Sequence, residues 1–331
     1  MGTADKSGFD GQMHYFRAFA ILMIMATHYC GVFGFDGPDR FFFRSSTIFF
    51  LFISGYLCQH IFNRRPQTPQ VYGMKKLANV ISPFLVFSIA IGLMRGDSPA
   101  SAGFWRDVLM GRMQLQYWYI PFVSLLFLVS PALCRLKDSV LMPLAAVSLV
   151  LLSTFPVRPQ PVFALAWPHA FHLYVYFTFF YLLGFVYCRR KVQIFEVLKR
   201  NSVLLAILAV LVSAVMPFAP ALGLETAGLD ALHAVHKTLL GAVVLVVLDR
   251  VKDRKVLWIM DQLAKCSFTL YFIHLGIFLR TVKLHDSAVS LIRIPFVAEF
   301  VVFCAYVLAM LLAATLAKTV LGKWSRPIIA A

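Results

Sequence analysis

Ten apolar stretches, at about residues 16–35, 44–62, 77–94, 117–134, 139–155, 170–188, 202–222, 229–248, 256–280 and 294–317, take up most of this 331-residue chain. An α-helix needs about 20 mostly apolar residues to cross a hydrocarbon core about 30 Å thick. Most of the stretches reach or approach that length, and breakers such as Gly37-Pro38, Arg95-Gly96-Asp97 and Pro156 mark several edges. The pattern predicts an all-α polytopic membrane protein of about ten transmembrane helices. Because the connections are short, residues 1–331 are expected to form a single integral-membrane domain.

Composition excludes the main alternatives. Hydrophobic residues make up 60% of the chain and charged residues 14%, against about a quarter charged in soluble domains. The formal charge of +16 is not arranged as a basic stripe interleaved with aromatic residues on a soluble domain, which argues against nucleic acid as a partner. It fits the lipid bilayer, because Lys and Arg are retained on the cytoplasmic side during insertion. One set of connections, with both chain ends, holds 20 Lys and Arg, among them Arg64, Lys75, Arg135, Arg189, Lys199 and Arg254; the alternate set holds 9. Both termini are therefore expected in the cytoplasm. The polar first ten residues lead into an apolar run without a small-residue cleavage site, so the first span is expected to be retained. Six cysteines are scattered singly through apolar segments, without metal-ligand spacing, and no metal is expected.

The first span carries the residues best suited to chemistry. Arg17 and His28 are eleven positions apart, close to three helical turns, so they share a face with a rise of roughly 16 Å between them. Arg17 is expected at the cytoplasmic edge and His28 near or beyond the middle of the membrane. Ionisable groups at that depth are costly and usually functional, and a neutral imidazole is suited to taking a proton from a hydroxyl. The alternative is a histidine that bonds to a neighbouring helix. Trp118 and Tyr119 suit either an interfacial aromatic belt or a platform for a sugar ring. Tyr271 and His274 share a face of the ninth span and would line a cavity or bond another helix. Asp230, His233 and Lys237 share a face near the outer end of the eighth, where they would form a polar lining for an acceptor and make only a poor zinc site, and Glu299 in the tenth has no evident partner.

Several ordered segments resemble a known family. These are Arg17 and His28 with ten residues between them, Phe49-Phe50-Leu51-Phe52-Ile53-Ser54-Gly55-Tyr56-Leu57, Lys75-Lys76-Leu77 with Pro83, Tyr117-Trp118-Tyr119-Ile120-Pro121, and Ser267-Phe268-Thr269-Leu270-Tyr271-Phe272-Ile273-His274. Their order and spacing resemble the membrane acyltransferase 3 family, which O-acylates sugars of bacterial envelope polysaccharides. The resemblance covers essentially the whole chain and implies a multi-pass protein of the bacterial inner membrane that moves an acyl group, by default acetyl, from cytosolic acyl-coenzyme A to a sugar hydroxyl.

In that reading Arg17, Lys75 and Lys76 hold the coenzyme phosphates, His28 is the base or, as the less favoured alternative, carries the acyl group briefly, and Ser54, Trp118, Tyr119, Tyr271 and His274 line the substrate path. For Lys75 and Lys76, plain positive-inside anchoring is an equal alternative. Two departures stand out. His14 sits where family members often have an aspartate, with Asp10 four residues earlier, and lysines stand at 75 and 76 where arginines are common. The competing function is a transporter or flippase for a lipid-linked sugar, against which the chain shows no matching halves.

Overall fold

A computed structural model describes residues 10–34, 42–154, 171–219, 221–223, 226–292 and 294–329, and among these every regular element is helical. The main helices are α1 (Gly11–Val32), α2 (Thr47–Arg64), α3 (Pro69–Met94), α4 (Ala102–Leu109), α5 (Tyr119–Leu133), α6 (Asp138–Thr154) and α7 (Phe171–Arg189). They are followed by α8 (Lys191–Arg200), α9 (Ser202–Val215), α10 (Thr226–Arg250), α11 (Arg254–Arg280), α12 (Val282–Ser290), α13 (Pro295–Leu321) and the short α14 (Ser325–Ile329).

The all-α polytopic class holds, with fewer spans among the described residues than the ten expected. Among the described residues six helices are long and apolar enough to cross a membrane, or seven if the pair bent by 75° at Asn201 is one span. Local features interrupt some of the expected spans. The last turns of α2 carry Gln59, His60, Asn63 and Arg64, which dilute an otherwise apolar run. The apolar part of α6 is short, Asp138–Leu152. Amphipathic α8 buries no residue fully and stands at the bend before α9 rather than continuing it.

The core is built around α1, whose buried side is packed chiefly by α11, α2 and α10. The tightest crossing is α2 against α7. A Cβ added to Gly55 would lie 2.0 Å from the Tyr181 carbonyl oxygen, and one added to Gly184 would lie 2.2 Å from that of Phe52. Only glycine on both helices lets the backbones meet this closely. Gly55 is thus a packing residue, while its neighbour Ser54 points elsewhere.

Helix α3 is not regular. Pro83 has no N–H to give the carbonyl one turn back, and the ladder slips into a π-helical segment over Leu77–Ile81, where the Ser82 N–H reaches the Leu77 carbonyl. The slip begins directly after Lys75 and Lys76.

Ion pairs gather one set of chain segments at a common end. Lys191 lies 2.6 Å from Asp10, Arg189 and Arg190 each lie 3.0 Å from Asp138, and Lys199 lies 3.4 Å from Asp249. Arg189 also donates to the carbonyls of Leu133, Cys134 and Leu136, tying down the C-terminal end of α5. Gln12 donates to the Leu245 carbonyl at 2.9 Å. These are the start of the chain and connections that share the Lys and Arg excess. The acidic partners Asp10, Asp138 and Asp249 join their cations across helices, so this end is held by neutralised pairs in addition to apolar packing.

Candidate functional site

Six of the residues singled out from sequence converge around the Arg17–His28 face of α1. The His28 ring lies 5.2 Å from the ring of His274 on α11, centroid to centroid. His274 is followed by Tyr271 at 6.3 Å, and Tyr271 packs edge-on against Tyr119 of α5 at 5.9 Å. The Tyr119 hydroxyl is 3.2 Å from Ser54 Oγ on α2. At the other end of the face, the Arg17 guanidinium stands 5.3 Å over the ring of Phe268. Phe50 links the two ends, with its ring near those of Tyr119, Phe268 and Tyr271. The eleven-residue spacing therefore places Arg17 and His28 along one wall, with α2, α5 and α11 supplying the others.

The two histidines are held differently. His274 is fully buried, and its Nδ1 lies 2.8 Å from the Leu270 carbonyl oxygen. A carbonyl can only accept, so Nδ1 carries the proton and Nε2 presents a lone pair. That Nε2 is buried and has no hydrogen-bond partner. His28 is only partly buried, so it is the more accessible base of the two.

Arg17 has no carboxylate within ion-pair distance among the described residues. A partly buried guanidinium resting on a phenyl ring keeps its five donors for something else. The two candidate carboxylates are occupied. Asp10 caps α1 through the Met13 N–H, accepts from the Tyr56 hydroxyl and pairs with Lys191. Burial pushes its carboxyl up, but the hydrogen bonds from Lys191 and Tyr56 outweigh this and hold it below the ordinary carboxylate range. Asp261 lies 3.0 Å from His14 and 2.6 Å from Lys265. His14, which stands where an aspartate is common, thus brings a carboxylate to the foot of α1 from α11.

Lysines 75 and 76 separate. Lys75 is exposed and bonds Gln67 at 3.1 Å, whereas Lys76 turns inward, 4.0 Å over the ring of Phe127 and 5.3 Å over that of Tyr72. Lys76 also feels the charge of Arg17. Trp118 packs against Phe122 and Phe177 and touches the group around His28 only through Tyr119.

Other contacts gave no sign in the sequence. Glu299 has partners after all: it accepts from the Tyr29 hydroxyl at 2.7 Å and lies 2.9 Å from His285 Nε2. Tyr271 donates to the Gln116 carbonyl. Each joins segments with no shared motif, and only the fold brings them together. No group of three or more His, Cys, Asp or Glu among the described residues is placed to hold a metal ion.

A helical membrane domain that gathers an unneutralised arginine, two histidines and several hydroxyls into its interior has the makings of an intramembrane group-transfer enzyme. Residues 10–318 match the family model of the acyltransferase domain, nearly the whole chain, and the protein belongs to that family, the membrane acyltransferase 3 group. It is a membrane acyltransferase. No curated protein and no solved structure gives a match.

Proposed function

We propose that this acyltransferase moves an acyl group, acetyl by default, from cytosolic acyl-coenzyme A to a hydroxyl of a cell-envelope sugar or polysaccharide, in the bacterial inner membrane and with both termini cytoplasmic. The observation that carries the reading is the shared wall of Arg17 and His28, with a cation lacking a carboxylate at one end and an accessible imidazole at the other. Coenzyme phosphates suit a guanidinium with free donors, which binds them in bidentate fashion. Lys76 adds charge from the irregular turn of α3. Lys75, exposed and already bonded to Gln67, serves at most as an outer attractor.

The acyl thioester then extends along the wall towards His28. The His28 imidazole takes the proton of the acceptor hydroxyl as that oxygen attacks the thioester carbonyl. Collapse of the tetrahedral adduct breaks the C–S bond, and the imidazolium returns its proton to the departing thiolate. The products are the sugar ester and coenzyme A thiol, with no net proton change. Ser54 and Tyr119 supply hydroxyl donors on the facing walls, and His274, whose ring centroid is 5.2 Å from that of His28, offers its unprotonated Nε2 as a second base.

The test is transfer of radiolabelled acetyl from acetyl-coenzyme A to envelope glycan by purified protein in detergent or nanodiscs. Label in the glycan that depends on His28 is expected. Donor hydrolysis without any glycan product in the wild type would sink the acceptor assignment.

A further inference from the structure

The second cluster of titratable groups lies on α10, towards the end remote from Leu245 and Asp249. Asp230 is 6% exposed, and His233, His236 and Lys237 are 0% exposed. These four residues fall within about two helical turns, in a span that should be apolar. Some polar atoms are satisfied: His236 Nε2 lies 2.9 Å from Ser213 Oγ, and the Lys237 ammonium donates to the Phe42 carbonyl. Four are not. Asp230 Oδ2, both ring nitrogens of His233 and Nδ1 of His236 are buried without a partner. Lys237 has no carboxylate within ion-pair distance among the described residues, although its Nζ stands 5.3 Å over the Phe42 ring.

Polar groups that merely join helices find each other, as His236 and Ser213 do. A histidine with neither nitrogen bonded joins nothing, and leaving it so is costly where no bulk water can compensate. No described residue supplies these partners, and a molecule from outside the chain would. The charges set the chemistry of that partner. Arg44 acts electrostatically on both Asp230 and His233, and Lys237 acts on His233. A simple anion would meet the Asp230 carboxylate, and a simple cation would meet Arg44 and Lys237. A neutral molecule with several adjacent hydroxyls suits all of them, because each hydroxyl donates to a carboxylate or ring nitrogen and accepts from an N–H. The Phe42 ring, 5.2 Å from that of His236, offers an apolar face beside them.

We propose that Asp230, His233 and Lys237, with Arg44 and Phe42, form a subsite for a sugar ring of the acceptor, separate from the ring that is acylated. The separation follows from the segment between the cluster and α1: Lys237 holds the Phe42 carbonyl, while Thr27, the residue before His28, donates to the Phe43 carbonyl at 2.6 Å. A ring held at the cluster thus sits across this segment from His28, and a different unit of the same glycan reaches the base. This inference rests on the glycan-acceptor reading above and adds that the enzyme measures acceptor length.

The test uses fluorescently labelled oligosaccharides released from the envelope glycan, and a methyl glycoside of one of its sugars. Binding of the oligosaccharides to full-length His28→Ala protein is measured without donor, and again with Asp230→Asn or His233→Gln added. Acetyl transfer to both acceptors is measured with the same substitutions in active protein. Each substitution is expected to weaken oligosaccharide binding by about tenfold, the effect of about one lost hydrogen bond, and to raise KM for the oligosaccharide but not for the methyl glycoside. Folding is checked by size-exclusion profile, and the two replacements differ enough that one is expected to remain native. Oligosaccharide binding that is absent, or unchanged by both substitutions, overturns the subsite. Binding that depends on the cluster in a protein that transfers nothing leaves the subsite standing and removes the proposed reaction instead.

Discussion

His274 presents an unprotonated ring nitrogen within a cluster where its centroid is 5.2 Å from that of His28. Two bases this close need not be equivalent. His28 is the partly accessible one, and His274 is locked to the Leu270 carbonyl. His28→Ala should therefore lower acetyl transfer by about 10² to 10⁴, the usual effect of losing a general base, with donor binding unchanged. His274→Ala should cost less. Transfer assays on single variants of matched size-exclusion profile decide between them, and loss confined to the His274 variant would move the catalytic role to α11.

In the proposed reading, donor recognition divides among three cations that look alike in sequence. Arg17→Ala should weaken acyl-coenzyme A binding most, because its guanidinium is partly buried and rests only on Phe268. Lys76→Ala should follow, and Lys75→Ala, which removes an exposed side chain bonded to Gln67, should change little. Calorimetric titration of the non-hydrolysable donor analogue gives the order. Equal affinities for the Arg17 variant and wild type would leave the phosphates without their main ligand.

Asp10 makes the base of α1 sensitive to acid. Its carboxyl is held below the ordinary range in the folded protein, so the stability it contributes is present above the unfolded value of about 3.9 and is lost as pH falls through the lower, folded value. Asp10→Asn should destabilise the protein at neutral pH by about 1 to 3 kcal/mol, since Lys191 and Tyr56 lose a charged partner. Thermal unfolding in detergent should show the gap between wild type and variant narrowing below about pH 4. A gap that stays constant into that range would mean the ion pair adds nothing.

Orientation can be read with reporter fusions. Those placed after Arg65, Arg190 and Arg254 should report cytoplasm, as the charge excess requires. Fusions after Asp39, Arg158 and Leu224, which lie outside the described residues, should report periplasm. A periplasmic signal after Arg190 would reverse the sidedness and place Arg17 away from cytosolic donor.

Much of the site was legible because a helix has a fixed period. Arg17 and His28 could be assigned to one wall from their spacing alone, and Tyr271 and His274 to another. What spacing cannot give is the relation between walls. Nothing in the sequence says that Ser54 meets Tyr119, or that Glu299 meets Tyr29 and His285, since those contacts depend on how helices far apart in the chain pack. The adjacent lysines at 75 and 76 look equivalent as letters, and helix geometry just ahead of the π-helical slip sends one outward and the other over Phe127. The number of spans is hard to read for a related reason: an apolar run shows that a segment tolerates lipid, but not whether a polar last turn, as in α2, or a bend, as at Asn201, interrupts it.

The pairing of Asp10 with Lys191 bears on how the enzyme is made. Asp10 leaves the ribosome long before its partner does, and His274 follows later still. A nascent chain therefore carries Arg17 and His28 into the bilayer with the foot of α1 untethered and the facing α11 not yet synthesised. The Arg17–His28 wall gains its facing wall only when α11 has been made and has closed against α1, so a product that stops short of α11 lacks half of the site.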